Sequence, residues 1–240
     1  IGGGLYAEGT VDIAGSEFTL NSASSLGGGV GMSEGSLTLD GCILEENQSS
    51  TGAGVGVVEG SLEITDCSFS ENWTADSGGT GAGFMMLLGT VDIVGSSFED
   101  NEARHSGGAG YVYEGSLTAK YTEFTANTAG MFAGGLFGGV AELSFDECLV
   151  EGNSARWGGG VYTVDGSVTC AGSTTTTTGF LSNRASGFGG GVYSQAILST
   201  TCDWGSGTTD NSPEDLDLGT FSVDDLGADE TFVCDEGGCE

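Results

Sequence analysis

The sequence predicts an all-β fold, a single-stranded right-handed parallel β-helix (solenoid) of about eight coils with roughly 25 residues each. Three observations predict it: a phrase that recurs along the chain, alternating apolar residues within each copy, and the absence of any helical pattern of useful length. A unit of this length cannot bury its apolar face alone, so successive units must stack. A propeller is the alternative, although its blades are usually longer, about 40 to 50 residues.

The phrase consists of a Gly-Gly cluster, a short apolar run, Gly-Ser or Gly-Thr, an alternating apolar strand and Phe-x-x-Asn. Leu44 and Val150 replace the phenylalanine in the second and sixth copies, and Ala141-Glu142 replaces the Gly-Ser pair in the sixth. In the third copy Leu62 and Ile64 alternate with polar residues, and Phe69 comes before Asn72. Terminal asparagines recur at intervals of 26, 25, 29, 26, 26 and 30 residues: Asn21, Asn47, Asn72, Asn101, Asn127, Asn153 and Asn183. The last interval contains a threonine tract, Thr174 to Thr178, which we interpret as a five-residue insertion.

The recurring Gly and Asn positions are expected to be turns, where a positive φ reverses the chain. We predict that the asparagines form a turn ladder of stacked side-chain amides between coils. The alternative is a row of amides that is presented to a glycan. Asn47 and Asn72 also begin N-glycosylation sequons. The recurrent phenylalanine is expected to fill the core.

We divide the chain into a parallel β-helix, residues 1–202, and a C-terminal cap with an acidic tail, residues 203–240. The composition changes at Asp203-Trp204, and the chain's single proline follows at position 213. Residue 1 falls inside a repeat without Met or a signal peptide, which is typical of a fragment, a processed product or a subunit whose open edge another copy covers. We therefore expect a head-to-tail homo-oligomer or filament.

The chain is strongly acidic. Lys and Arg number 4, Asp and Glu number 35, and the formal net charge is −31. Such a field repels nucleic acid and anionic membranes and attracts cations or basic partners. No apolar run is long enough for a transmembrane helix. We expect no nucleic-acid binding, no membrane insertion, and an extracellular or cell-surface location.

Two columns of acids are candidates for calcium binding, since Ca²⁺ prefers several oxygen ligands. The first precedes the Gly-Ser or Gly-Thr pair and contains Glu8, Glu34, Glu59, Glu114 and Asp165. The second precedes the terminal asparagine and contains Glu46, Glu71 and Asp100. Outward carboxylates that are simply solvated are the alternative, because the Gly-Gly-x-Gly-x-Asp pattern of calcium-binding repeats is missing.

Seven cysteines favour disulfides in a chain of secreted character, and the odd number leaves at least one unpaired. Cys234 and Cys239 bracket Asp-Glu-Gly-Gly and form the best candidate pair, with Cys170 or Cys202 as competing partners. Cys42 and Cys67 occupy equivalent positions in consecutive coils. Their spacing is compatible with a disulfide or with two stacked, buried thiols.

Gly-Gly-Gly-aliphatic blocks combined with Phe-x-x-Asn-x-Ala resemble the repeats of the chlamydial polymorphic outer membrane proteins and, more broadly, right-handed β-helix proteins of bacterial surfaces. The matching sets are Phe18/Asn21/Ala23, Phe98/Asn101/Ala103, Phe124/Asn127/Ala129 and Phe180/Asn183/Ala185. The resemblance covers roughly residues 1–193 and implies a surface scaffold. It implies no particular activity, because the same fold contains polysaccharide lyases, tailspikes and adhesins.

Catalytic motifs are missing: there is no Gly-x-Ser-x-Gly elbow, phosphate loop or zinc signature, and His105, the only histidine, is expected at an exposed turn. We predict a non-enzymatic, secreted or cell-surface structural solenoid that serves as a stalk, adhesin, matrix component or filament subunit and meets extracellular glycan or protein. The alternative is a calcium-dependent glycan-binding or polysaccharide lyase-like domain. Ca²⁺ is the one cofactor that the sequence suggests.

Overall fold

The computed structural model describes residues 1–171, 178–194, 202–203, 210–212, 216–217, 234–235 and 238–239, and of the last three pairs it describes the backbone. The described chain is a parallel β-solenoid of about seven turns. It contains no α-helix, and hence no helix that is long and apolar enough to cross a bilayer. The predicted all-β parallel solenoid is confirmed, with about seven described turns where the sequence predicts about eight coils.

Three parallel sheets form the sides of the solenoid. The first has ten strands: β1 (Leu5–Ala14), β3 (Val30–Asp40), β6 (Val55–Thr65), β9 (Phe84–Val94), β12 (Gly110–Lys120), β15 (Leu136–Asp146), β18 (Val161–Thr163), β19 (Ser167–Ala171), β22 (Val192–Ser194) and β23 (Leu216–Asp217). The second has seven: β2 (Glu17–Thr19), β4 (Ile43–Glu45), β7 (Ser68–Ser70), β10 (Ser97–Glu99), β13 (Glu123–Thr125), β16 (Leu149–Glu151) and β20 (Gly179–Leu181).

The third sheet has six short strands: β5 (Gln48–Ser49), β8 (Trp73–Thr74), β11 (Glu102–Ala103), β14 (Thr128–Ala129), β17 (Ser154–Ala155) and β21 (Arg184–Ala185). Separately, β24 (Cys234–Asp235) and β25 (Gly238–Cys239) form an antiparallel pair.

Strands of successive coils pair in register, so equivalent residues of the repeats lie in columns. For example, Leu37 of β3 pairs with Leu62 of β6, and Phe98 of β10 lies between Phe69 of β7 and Phe124 of β13. Alternate residues of each strand point inward and form one continuous apolar core. The recurrent phenylalanines therefore belong to the core, as the sequence predicts.

The turn before each ladder asparagine uses one residue in the left-handed region. Its φ is 51° at Glu46, 53° at Glu71, 53° at Asp100 and 55° at Ala126. None of the ladder asparagines has a positive φ, which corrects the sequence-based expectation for these positions. The preceding residue reverses the chain, and this leaves the asparagine side chain free to point into the coil.

The recurrent Gly-Ser or Gly-Thr pair has a steric cause within the long strands. Gly60 has a φ of 132°, and a Cβ at this position would overlap the carbonyl oxygen of Gly35 in the preceding coil. Gly89 and Gly115 have the same relation to the glycine one coil earlier. Only glycine permits this close approach of two backbones.

Pairing continues beyond the boundary that the sequence suggests at residue 202. Strand β23 pairs with β22, and Ser212 forms a bridge with Arg184. Of the rest of the predicted cap and acidic tail, the structure describes Asp203, Asp210, Asn211 and the backbone of β24 and β25. The Thr174 to Thr178 insertion lies outside the described residues apart from Thr178.

A disulfide joins Cys170 to Cys202, with Cα atoms 5.4 Å apart and a sequence separation of 32. The sequence suggests Cys170 and Cys202 only as alternative partners for Cys234 or Cys239, not as partners of each other. Cys234 and Cys239 are Cα partners in the β24–β25 pair. Their side chains lie outside the described part of the chain, so the disulfide predicted between them stays a prediction.

Candidate functional site

The predicted asparagine column is a hydrogen-bonded ladder inside the solenoid. Asn101 Oδ1 accepts hydrogen bonds from the backbone N–H of Asn72 at 3.1 Å and from Asn72 Nδ2 at 2.9 Å. Asn101 Nδ2 donates to the carbonyl oxygen of Phe69 at 2.9 Å and to Asn127 Oδ1 at 2.9 Å. Each interior amide thus links three coils.

Burial decides between the two interpretations of this ladder. Asn21 is half-buried, whereas the fully buried members are Asn47, Asn72, Asn101, Asn127, Asn153 and Asn183. Asn211, which sequence reasoning missed, adds a rung by accepting from Asn183 at 2.9 Å. The buried amides cannot be presented to a glycan. The sequons at Asn47 and Asn72 are likewise inaccessible to glycosylation in the folded chain.

A second inner column carries thiols and hydroxyls at the turn after the long strand. Its members are Ser16, Cys42, Cys67, Ser96, Thr122, Cys148 and Thr178. Cys67 Sγ accepts from the backbone N–H of Cys42 at 3.2 Å and donates to the carbonyl oxygen of Thr65 at 3.1 Å. Ser96 Oγ accepts in the same way from the N–H of Cys67 at 3.1 Å. This thiol–hydroxyl column therefore satisfies backbone groups between coils, as the asparagines do.

Cys42, Cys67 and Cys148 are free and buried. The disulfide alternative for Cys42 and Cys67 is therefore wrong, and the stacked-thiol alternative describes them. The reason is geometric: in-register parallel coils keep the two Cβ vectors parallel, while a disulfide needs them to converge.

We expect these thiols to resist alkylation. Burial raises the pKa of Cys67 to about 11 and also raises the pKa of Cys148, and only the thiolate is a strong nucleophile. In native protein at about pH 8, iodoacetamide should leave Cys42, Cys67 and Cys148 unmodified, whereas denaturant should expose all three. Peptide mass spectrometry checks this. Rapid labelling of any of the three in native protein would contradict their burial.

The first acidic column is not continuous in the structure, because apolar residues lie between its carboxylates. Glu34 pairs with Glu59 in the next coil, but Leu88 separates Glu59 from Glu114, and Val140 follows Glu114. Exposed apolar side chains thus alternate with carboxylates along this line.

The first end of the same column lies at an irregularity of β1. The register of β1 shifts between Ala7 and Gly9, and Glu8 there accepts hydrogen bonds from the hydroxyls of Tyr6 at 3.0 Å and Ser33 at 3.2 Å. Asp165 is exposed beyond Val140.

The second acidic column is continuous over three coils, and Glu46, Glu71 and Asp100 are all exposed at their turns. Glu71 and Asp100 border an open polar pocket of about 450 Å³ together with Trp73 and Glu102. Within the described residues, no group of three or more His, Cys, Asp or Glu side chains could hold a metal ion. Calcium binding at either column stays a prediction.

Sequence reasoning missed an aromatic column on the outer side of the first sheet. In-register pairing aligns Tyr111, Phe137, Tyr162 and Tyr193 in successive coils. Their rings stack with centroids 4.6, 5.7 and 4.7 Å apart. The sequence signal is the aromatic residue that follows an aliphatic one in three of these repeats, as in Val161-Tyr162, whereas Tyr111 follows Gly110.

A second, shorter group of rings lies across the Gly-Gly turn. Phe132 is 4.7 Å from Tyr162, 6.3 Å from Phe137 and 5.1 Å from the stacked ring of Trp157, between centroids. The guanidinium of Arg156 lies 4.3 Å above the Trp157 ring. Trp157 thus contacts both the ring of Phe132 and the guanidinium of Arg156.

Between these two groups lies a groove of about 290 Å³, here called the aromatic groove. Its principal residues are His105, Ser106, Tyr111, Phe132, Phe137 and Tyr162. His105 is half-buried in this groove, not at an exposed tip, and its Nδ1 is 2.7 Å from Ser106 Oγ. Burial, with a smaller contribution from a neighbouring tyrosine, raises the pKa of Tyr111 and of Tyr162. Both hydroxyls therefore stay neutral at physiological pH.

The parallel coils, the two inner ladders and the lateral groove define a β-solenoid repeat protein. The chain belongs to the right-handed β-helix family, since the family model described as a right-handed beta helix region matches residues 3–178. No curated protein and no solved structure matches the chain significantly.

Proposed function

We propose that the chain is a structural β-solenoid without catalytic activity, which acts outside the cell or at its surface as a rigid stalk or spacer. The observation that carries this proposal is the use of the recurrent polar residues inside the coil. The asparagine ladder and the thiol–hydroxyl column tie backbone to side chain from coil to coil. At about 4.8 Å per coil, seven turns give a rod of about 35 Å.

Three features support the proposed location. The Cys170–Cys202 disulfide is typical of oxidising compartments. A net charge of −31 keeps a protein soluble in a saline medium that screens its self-repulsion. The Phe-x-x-Asn-x-Ala repeats resemble those of chlamydial polymorphic outer membrane proteins. An adhesin, a matrix component and a filament subunit are more specific versions of this proposal. Of these, the filament subunit would assemble head to tail.

Two measurements together test location and activity. A membrane-impermeant label should reach the chain on intact producing cells, and the purified chain should release no unsaturated product from acidic polysaccharides with or without Ca²⁺. Protection from the label until the cells are permeabilised contradicts an extracellular role. Product formation, or a melting temperature that rises with Ca²⁺, favours the calcium-dependent lyase-like alternative.

Deletion of one complete coil tests the structural role directly. Removal of residues 73–101 joins Asn72 to Glu102, the residue that pairs with Trp73 in the third sheet, so the ladder position is kept. We expect a folded all-β chain that is shorter by about one coil spacing, about 4.8 Å, in small-angle X-ray scattering. An unfolded product would show that these coils are not interchangeable units.

A further inference from the structure

We propose that the aromatic groove is a binding site for an uncharged saccharide. This inference goes beyond the structural role and does not depend on it. It rests on the shape of the groove, on the free hydroxyls that line it and on the lack of charge in its lining.

The groove forms where a column of side chains changes from small to aromatic. In-register bridges connect Thr80 to Ser106, Ser106 to Phe132, and Phe132 to Trp157. Trp157 stacks on Phe132 with centroids 5.1 Å apart. On the other side of Phe132 the column continues with the small Ser106, and the tilted ring of His105 lies 5.5 Å from Phe132 without stacking on it. Phe132, Tyr111 and Tyr162 border the space. A pyranose ring has an apolar face of C–H groups that packs against such an aromatic surface.

Neutral residues with polar groups line the same space. Ser106 and His105 approach each other at 2.7 Å on one wall. The hydroxyls of Tyr111 and Tyr162 make no hydrogen bond to any group of the described chain. Apolar walls with a few convergent hydrogen-bonding groups are typical of small-ligand sites, and the hydroxyls of a saccharide match these donors and acceptors.

Charge selects among the possible ligands. Among the residues that the structure describes, no carboxylate, lysine or arginine lines the groove, whereas the whole chain carries −31. An anionic polysaccharide would be repelled by the surrounding field. A basic peptide would be attracted to the rod but would find no carboxylate in the groove to pair with. An uncharged saccharide meets neither obstacle.

The test is isothermal titration calorimetry of the whole chain with neutral gluco-, xylo-, manno- and chito-oligosaccharides, with oligogalacturonate as the anionic probe and oligolysine as the basic one. At least one neutral oligosaccharide should bind at millimolar concentration or below, and oligogalacturonate should not. Phe132→Ala should weaken that binding about tenfold, because it removes an aromatic ring from the lining of the groove. Phe132→Trp, which keeps an aromatic face, should retain it.

Two further variants keep the test decisive. Trp73→Ala removes an aromatic side chain that is 39% exposed on the third sheet, outside the groove, and should leave the affinity unchanged. Tyr162→Phe keeps the ring and removes one free hydroxyl, so it should weaken binding even if Phe132→Ala fails to fold. The proposal is overturned if no neutral oligosaccharide binds, if Phe132→Ala and Tyr162→Phe bind as the unmodified chain does, or if oligogalacturonate or oligolysine is the ligand that depends on Phe132.

Discussion

Replacement of Asn101 by alanine is expected to lower the free energy of unfolding by about 4 kcal/mol. The substitution removes an amide that makes four hydrogen bonds in the fully buried interior. It leaves the backbone N–H of Asn72 without its acceptor and removes the amide hydrogen bond that the carbonyl oxygen of Phe69 accepts. It also takes one of two hydrogen bonds from Asn72 Nδ2, which still donates to Leu44, and one of two from Asn127 Oδ1, which still accepts from the backbone N–H of residue 101. Each unsatisfied buried group costs about 1 to 3 kcal/mol, and part of this is relieved by relaxation or entering water. Guanidinium denaturation followed by far-UV circular dichroism measures the change.

Asn21→Ala is the matched control for this experiment. The side chain of Asn21 is half-buried and donates one hydrogen bond, from Nδ2 to Asn47 Oδ1 at 3.0 Å. Its removal should cost about 1 kcal/mol. Asn101→Asp should be at least as damaging as Asn101→Ala, because a carboxylate cannot donate to Phe69 or Asn127 and would be charged in the core. Equal, small effects at Asn21 and Asn101 would show that the ladder does not stabilise the solenoid.

Replacement of Phe98 by alanine should lower the free energy of unfolding by about 3 to 5 kcal/mol. The ring is fully buried and stacks between Phe69 at 4.5 Å and Phe124 at 5.1 Å, with the edge contact of Phe84 at 5.5 Å. Alanine loses the transfer free energy of the ring and leaves a cavity that the rigid coils on both sides cannot close. The same denaturation experiment measures the loss.

Phe98→Leu shows how much of the stability loss comes from the cavity and how much comes from any substitution in the core. Leu44 occupies the equivalent position, pairing with Phe69 in the next coil, so leucine is already compatible with this column. We expect Phe98→Leu to cost about half as much as Phe98→Ala or less. Tyr121→Ala, at a side chain that is 58% exposed, should change stability by about 0.5 kcal/mol or less. A loss at Phe98 no larger than at Tyr121 would contradict a packed phenylalanine column.

The repeat made most of the fold predictable. A period near 25 residues, alternating apolar positions and a recurring asparagine are sufficient to infer stacked parallel coils, because the local pattern and the global fold agree in every copy. The same regularity identified the asparagines as a ladder and the phenylalanines as core. The left-handed residue of the turn was misplaced by one position, since Glu46 and Ala126 carry no signal for a positive φ that is as strong as glycine's.

The candidate site was less predictable than the fold. The acidic column that precedes Gly-Ser looked continuous in sequence, yet Leu88 and Val140 interrupt it in space, because every coil contributes a residue to a column whether or not that residue fits the pattern. His105 was expected at an exposed turn, but its coil places it beside Phe132, with ring centroids 5.5 Å apart. The Cys170–Cys202 pairing also depended on which coils are neighbours.

The sequence by itself determined the period, the buried face of each strand and the position of the asparagine ladder, since all of these repeat along the chain. Only the tertiary structure decided which outward side chains meet across a turn, such as Phe132 and Tyr162 with centroids 4.7 Å apart. The physical reason is that coils differ in length, from 25 to 30 residues, and the extra residues lie in the turns, so that the strands of successive coils stay in register. Contacts on the outside therefore depend on turn geometry, which no periodic pattern encodes.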